Sequence, residues 1–241
     1  MLVGAGRARR RLAQVALLAG VLTGCSGSAE YDTKTSASAS AAADEGGAGS
    51  ASDTAVKSGG TIGPAGSACE LPVTFDIAED WEAEAIDNGA AEEKAADGAD
   101  ASADPEEAEL AEAIADAILY QGPVAAACEV DAKPAGNIGF LRVWTGKPGE
   151  DDARTVLEAF VAAEKDTSKA KYSPFKAGGV SGVEVKYLYT SELLEETKEE
   201  SALAVTTKKG PVVIHLGGMD TDEHREMLPA YELAKRTLRI G

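Results

Sequence analysis

The chain contains no apolar run of the length a bilayer demands. Its N-terminal run, Leu12 to Leu22, covers about 11 residues and is interrupted by Gln14 and Gly20, whereas a helix crossing roughly 30 Å of hydrocarbon takes about 20. That segment is therefore not a permanent span. Equally missing are a phosphate loop, an HExxH pair and a dinucleotide fingerprint, so the nucleotide and zinc chemistries those motifs serve find no support. Histidine is scarce, with two residues in 241, and cysteine nearly so, with three. Positive charge is short as well: 23 Lys and Arg stand against 41 Asp and Glu, for a net charge of -18. Such a balance repels nucleic acid and anionic lipid. It suits a basic partner, a cation or, most simply, solubility.

What the N-terminus does contain is Arg7, Arg9, Arg10 and Arg11 ahead of the apolar run. A charged region followed by a short hydrophobic one reads as an export signal over residues 1–24. It ends Leu22-Thr23-Gly24-Cys25, which resembles the bacterial lipobox, whose cysteine receives diacylglycerol. Cys25 is accordingly the expected lipidation site, and the protein is expected at the extracytoplasmic face of the cell membrane. The arginines leave both the general secretory and the twin-arginine export routes open. Cys69 and Cys128 then remain, and a single pairing is possible. Outside the cytoplasm such a pair is normally oxidised. Closing a loop of about 60 residues would stabilise the fold by about 4 kcal/mol in the chain-entropy model.

Composition divides the rest. Residues 25–68 hold the lipidated cysteine and a Ser/Ala/Gly stretch in which Tyr31, Val56 and Ile62 are nearly the only sizeable apolar side chains. So little apolar surface cannot offset the entropy of ordering the chain, and a tether of this length has an r.m.s. span of about 35–40 Å. Residues 69–241 are long enough for one domain with a core. Within it, residues 87–109 carry nine acids and one lysine and read as an exposed low-complexity insertion without the ligand spacing of a calcium loop.

Periodicity predicts the elements. Leu71, Val73, Phe75 and Ile77 alternate with polar neighbours, as do Trp81, Ala83 and Ala85, which together suggest an opening hairpin. A helix starting at Asp104-Pro105-Glu106-Glu107 would bury Leu110, Ile114 and Ile118. Strands are expected at 124–130, 137–145, 183–190, 202–207 and 212–216. A helix from Asp151-Asp152 would turn Val156, Leu157, Phe160, Val161 and Glu164 to one face, and a closing helix from about Pro229 would bury Tyr231, Ala234 and Leu238. Hairpins beside separate helices imply an α+β fold on a mainly antiparallel sheet.

The lipobox, the small-residue tether, Phe75-Asp76-Ile77 with Asp80-Trp81, and Met227-Leu228-Pro229-Ala230-Tyr231 resemble small actinobacterial lipid-anchored lipoproteins of the PsbP-like fold. The resemblance covers about residues 69–240. It implies an α/β/α sandwich around an antiparallel sheet and a binding or accessory protein, not an enzyme, with no cofactor. Its partner would be an unidentified protein or small molecule, met while the lipid holds it to the membrane. The acidic insertion departs from that pattern.

Chemistry has few candidates. Gly179-Val180-Ser181-Gly182 imitates a nucleophile elbow, but the second glycine is one place early and the context is loop to strand. His215, Asp220, Asp222 and His224 could form a small metal or acid–base site. The plainer expectation is a strand histidine hydrogen-bonded to a neighbour, beside acids that cap a helix start. Trp144, Tyr187 and Tyr189 could edge a ligand groove or belong to the core. A hydrolase or metal-dependent enzyme, and a small-ligand carrier, remain the alternative functions.

Overall fold

Residues 56–89, 113, 114, 116, 118–192 and 195–241 are described by a computed structural model of the chain. They belong to the unit that runs from Ser50 to Gly241. Strands β1 (Ser58–Ile62), β2 (Val73–Ala78) and β3 (Glu82–Ala85) come first. The short β4 (Tyr120–Gln121), β5 (Val124–Asp131), a 3-10 turn at Lys133–Ala135 and β6 (Gly139–Gly146) follow. Helix α1 (Ala153–Ala163) leads into β7 (Thr167–Ala177), β8 (Val180–Ser191), β9 (Glu196–Thr207) and β10 (Gly210–Gly218). The chain closes with α2 (Thr221–Thr237) and β11 (Arg239–Ile240).

The main sheet has the order β3-β5-β6-β10-β9-β8-β7, with β4 beside β5, and a second sheet has the order β1-β2-β11. All of these ladders are antiparallel. Tight turns set the long hairpins. Gly178 and Gly179, at φ 57° and 86°, join β7 to β8 with the left-handed backbone that a two-residue hairpin loop requires. Ser181 therefore sits inside β8, paired with Lys176, and the imitation of a nucleophile elbow is a hairpin.

Side-chain alternation along β10 sends residues to two cores. Val212, Ile214 and Leu216 join Leu141, Leu203 and the α2 residues Met227 and Tyr231. Val213 joins Trp144, Val185 and the α1 residues Leu157 and Phe160. The period-two reversal thus puts one helix against each face of the main sheet. Both helices start on an aspartate cap: Asp152 accepts from Thr155 N at 2.8 Å and Asp220 from Glu223 N at 2.8 Å, each satisfying an amide that the first turn leaves free.

Several expectations give way. The opening hairpin does not form, because β2 pairs with β1 and β11 while β3 pairs with β5. The stretch expected to stay a tether up to residue 68 already contains β1, whose Ile62 is buried. Its glycines and serines need no side-chain burial, because the backbone ladder to β2 holds them. The closing helix starts at Thr221, behind the Asp220 cap, and Pro229 lies inside it on the exposed side. The apolar residues Met227, Ala230 and Tyr231 on the buried side offset the hydrogen bond that the proline removes. Ile114 and Ile118 are 52 % and 53 % exposed, and the buried residue beside them is Leu119, about 100° further round a helix than Ile118. Leu110 and nearly all of the acidic insertion lie outside the described residues, as do Cys25 and the export signal.

Candidate functional site

Register brings five ionisable side chains together where α1 ends over the sheet. Tyr187 on β8 stands opposite Glu200 on β9, and His215 on β10 stands opposite Ala202, the next residue on that face of β9. Glu164, the residue that ends α1, reaches the same place, and its Oε2 accepts from the Tyr187 hydroxyl at 2.8 Å.

Glu200 is the centre of the cluster. Its Oε2 lies 2.7 Å from His215 Nε2 and 3.0 Å from the Tyr187 hydroxyl, and its Oε1 is 2.8 Å from Lys198 Nζ. Burial by itself would push this carboxyl up, but the charge and hydrogen bond of His215, with those of Lys198, reverse the effect and hold it at about 2. At neutral pH an ionised Glu200 can only accept, so His215 Nε2 carries the hydrogen between them. Glu164 moves the opposite way, raised by burial and by the nearby Glu200 charge. The Tyr187 phenol, buried between the two carboxylates, is held well above its ordinary value and keeps its proton.

The cluster floors a polar cavity of about 220 Å³ walled by Arg142, Trp144, Tyr189 and Lys198. Arg142 is fixed by its ion pair with Glu129 and lies over the Phe140 ring, 4.5 Å from its centroid. Trp144 is almost fully buried, and its Nε1 hydrogen has no acceptor among the described residues. Phe140, Tyr189 and Lys198 also wall an adjoining pocket of about 320 Å³ with Ile138 and Met219. Ile138 and Met219 are more than half exposed. One cleft thus offers an apolar rim and a polar floor, the composition of small-ligand sites.

The residues singled out from the sequence fare unequally. Cys69 and Cys128 are bonded to each other, with Cα atoms 6.0 Å apart. His215 belongs to the cluster. His224 does not: it sits on α2, against the other face of the sheet, with Nε2 3.2 Å from Ser201 Oγ. Burial lowers its pKa to about 4. Asp220 is the α2 cap, and Asp222 pairs with Arg225 at 3.5 Å. The four therefore do not converge, and among the described residues no group of three or more His, Cys, Asp and Glu is arranged to hold a metal ion. Glu164 falls on the helix face expected from the sequence but is not singled out as a site residue there, and Lys198 and Glu200 are not singled out at all. Their signal was available, since alternation carried back from Ala204 and Ala202 puts Glu200 and Lys198 on the face turned toward α1.

Residues 36–238 match the model of a protein family described as uncharacterised lipoprotein. Among solved structures, the chain is similar to cyanobacterial PsbP (CyanoP) from Synechocystis sp. PCC 6803, with 9 % identity and a TM-score of 0.45 over 81 % of this chain and 100 % of that one. At that distance no residue's role is carried across. No curated protein matches the chain. The resemblance read from the sequence includes the lipoprotein class, and the family match returns that class. No described helix is long and apolar enough to cross a membrane.

Proposed function

The chain belongs to that lipoprotein family, and from this premise we propose that it is a non-catalytic binding or accessory module. A lipid on Cys25 anchors it to the outer face of the cytoplasmic membrane, its domain is an α/β/α sandwich, and the cleft beside α1 is its working surface. The observation that carries the binding role is the division of labour in that cleft. Its ionised floor is satisfied internally: Glu200 pairs with Lys198 and is hydrogen-bonded to His215, and Arg142 pairs with Glu129. What faces outward is Ile138, Phe140, Tyr189 and Met219, apolar or aromatic surface with the Trp144 donor behind it. Such a cleft takes a ligand or partner segment with an apolar body and an acceptor end. It spends its charges on holding shape.

A second reading has one observation in its favour. Glu164 and Glu200 share the Tyr187 hydroxyl while their pKa values are pushed in opposite directions, and a pair so divided is what acid–base catalysis uses. In-cell photo-cross-linking separates the two readings. A photoreactive residue at position 219 should form a stable adduct with a retained ligand or partner, and one at the exposed turn position 208 should not. The adduct should persist in Glu164→Gln. Absence of an adduct at 219 above the yield at 208 would contradict the binding role, and turnover of the captured molecule lost in Glu164→Gln would establish the enzyme.

A further inference from the structure

On the face opposite the cleft, a pocket of about 340 Å³ lies between α2 and the strands β7 to β9. Lys169, Lys171 and Lys186 line it together with Ser201 and His224. Register explains the convergence: Lys171 stands directly across from Lys186, and Lys186 across from Ser201, in one row over three strands. Like charges placed opposite each other oppose pairing, yet the strands keep them. The bulge between Ser168 and Lys171, where Lys169 adopts φ 54°, brings a third ammonium to the same pocket. Among the described residues none of the three has an ion-pair partner. Of the carboxylates on that face, Glu199 has both oxygens held by Arg225, at 3.1 and 3.3 Å, and Glu184, two residues before Lys186 on β8, pairs with Lys235 at 3.1 Å.

The wall behind the lysines is polar and incompletely satisfied. His224 is 2 % exposed, and while its Nε2 meets Ser201 Oγ, its Nδ1 has no partner. In a chain of net charge -18, three unneutralised ammonium groups around a hydroxyl and an imidazole form a local reversal of sign. The whole-chain charge predicts repulsion of nucleic acid and anionic lipid, whereas this pocket gathers positive charge. We propose that it is a binding site for a phosphate group. Ammonium groups serve phosphate as point charges from several directions, and three of them converge here. The phosphate comes free in solution or on a lipid headgroup of the membrane alongside.

Isothermal titration of the full chain in non-ionic detergent tests this, with inorganic phosphate, pyrophosphate and the soluble diester glycerophosphoglycerol as separate probes. Binding of phosphate or pyrophosphate that weakens at least tenfold in Lys171→Gln/Lys186→Gln, and not in the turn variant Lys208→Gln/Lys209→Gln, supports a free-phosphate site. The same dependence seen with glycerophosphoglycerol supports a lipid headgroup. Lys169→Gln, a single exposed substitution, should weaken binding on its own if the double variant fails to fold. Binding by none of the three probes, or a loss equal in the pocket and turn variants, overturns the site. So does binding that Lys169→Gln leaves unchanged.

Discussion

Two buried side chains tie stability to pH with the same sign. Folded Glu200 titrates near 2 against an ordinary 4.5. As pH falls the unfolded chain takes that proton first, so the contribution is complete above about pH 4.5 and is lost toward 2. Folded His224 titrates near 4 against 6.5, so its contribution is complete above about 6.5 and is lost as pH falls toward 4. Glu164, raised by burial, works in reverse, and its contribution is lost as pH rises through its folded value. The first loss on acidification is therefore that of His224, about 2–3 kcal/mol. Melting temperatures between pH 7 and 4 should fall in the parent and fall much less in His224→Gln; equal slopes would show that this imidazole is not buried neutral. Residue by residue, the sequence made His215 legible as a hydrogen-bonded strand histidine and Asp220 as a cap. It did not disclose Glu200, because an acid at a core position reads as a surface residue until its partners on β10 and within β9 are known.

Among the elements, those with regular local patterns were legible and those set by distant pairing were not. α1 follows from Asp152 and the spacing of Val156, Leu157, Phe160 and Val161, and β5 from the short apolar run past Gly122-Pro123. The partner of β2 did not follow, because β1 is built from Ser58, Gly59 and Gly60, which carry no apolar signal, and β11 arrives from the far end of the chain. α2 was cut short because Pro229 looks like a first-turn proline, when its buried side outweighs the break. β7 passed unread because Lys, Ser and Pro dominate it and its ladder with β8 supplies the order. The Cys69–Cys128 bond joins the loop between β1 and β2 to β5 of the main sheet, so it staples the two sheets. Replacing both cysteines, Cys69→Ala/Cys128→Ala, should lower stability by about 4 kcal/mol in denaturant unfolding. A loss below about 1 kcal/mol would mean the shared core alone holds the sheets together.

Across the whole molecule, the two faces of the main sheet carry different chemistry. The face under α1 holds an internally paired cluster and an apolar-rimmed cleft, and the face under α2 holds lysines with no ion-pair partner among the described residues. Net charge and composition announced neither, because both depend on which residues alternate to which side. The lipoprotein class was legible in full, since Thr23-Gly24-Cys25 after a short apolar run is a local signal that needs no fold. The accessory role proposed for the cleft and the lipid-headgroup source proposed for the phosphate both presume that the domain is held at the membrane surface by its N-terminus. The intact mass of the protein extracted from membranes tests that most directly. The account predicts a chain that begins at Cys25 and carries a diacylglycerol-type lipid, with Cys25→Ala giving an uncut precursor or a released protein. A membrane-associated chain with an unmodified Cys25, or one cut elsewhere, would contradict it.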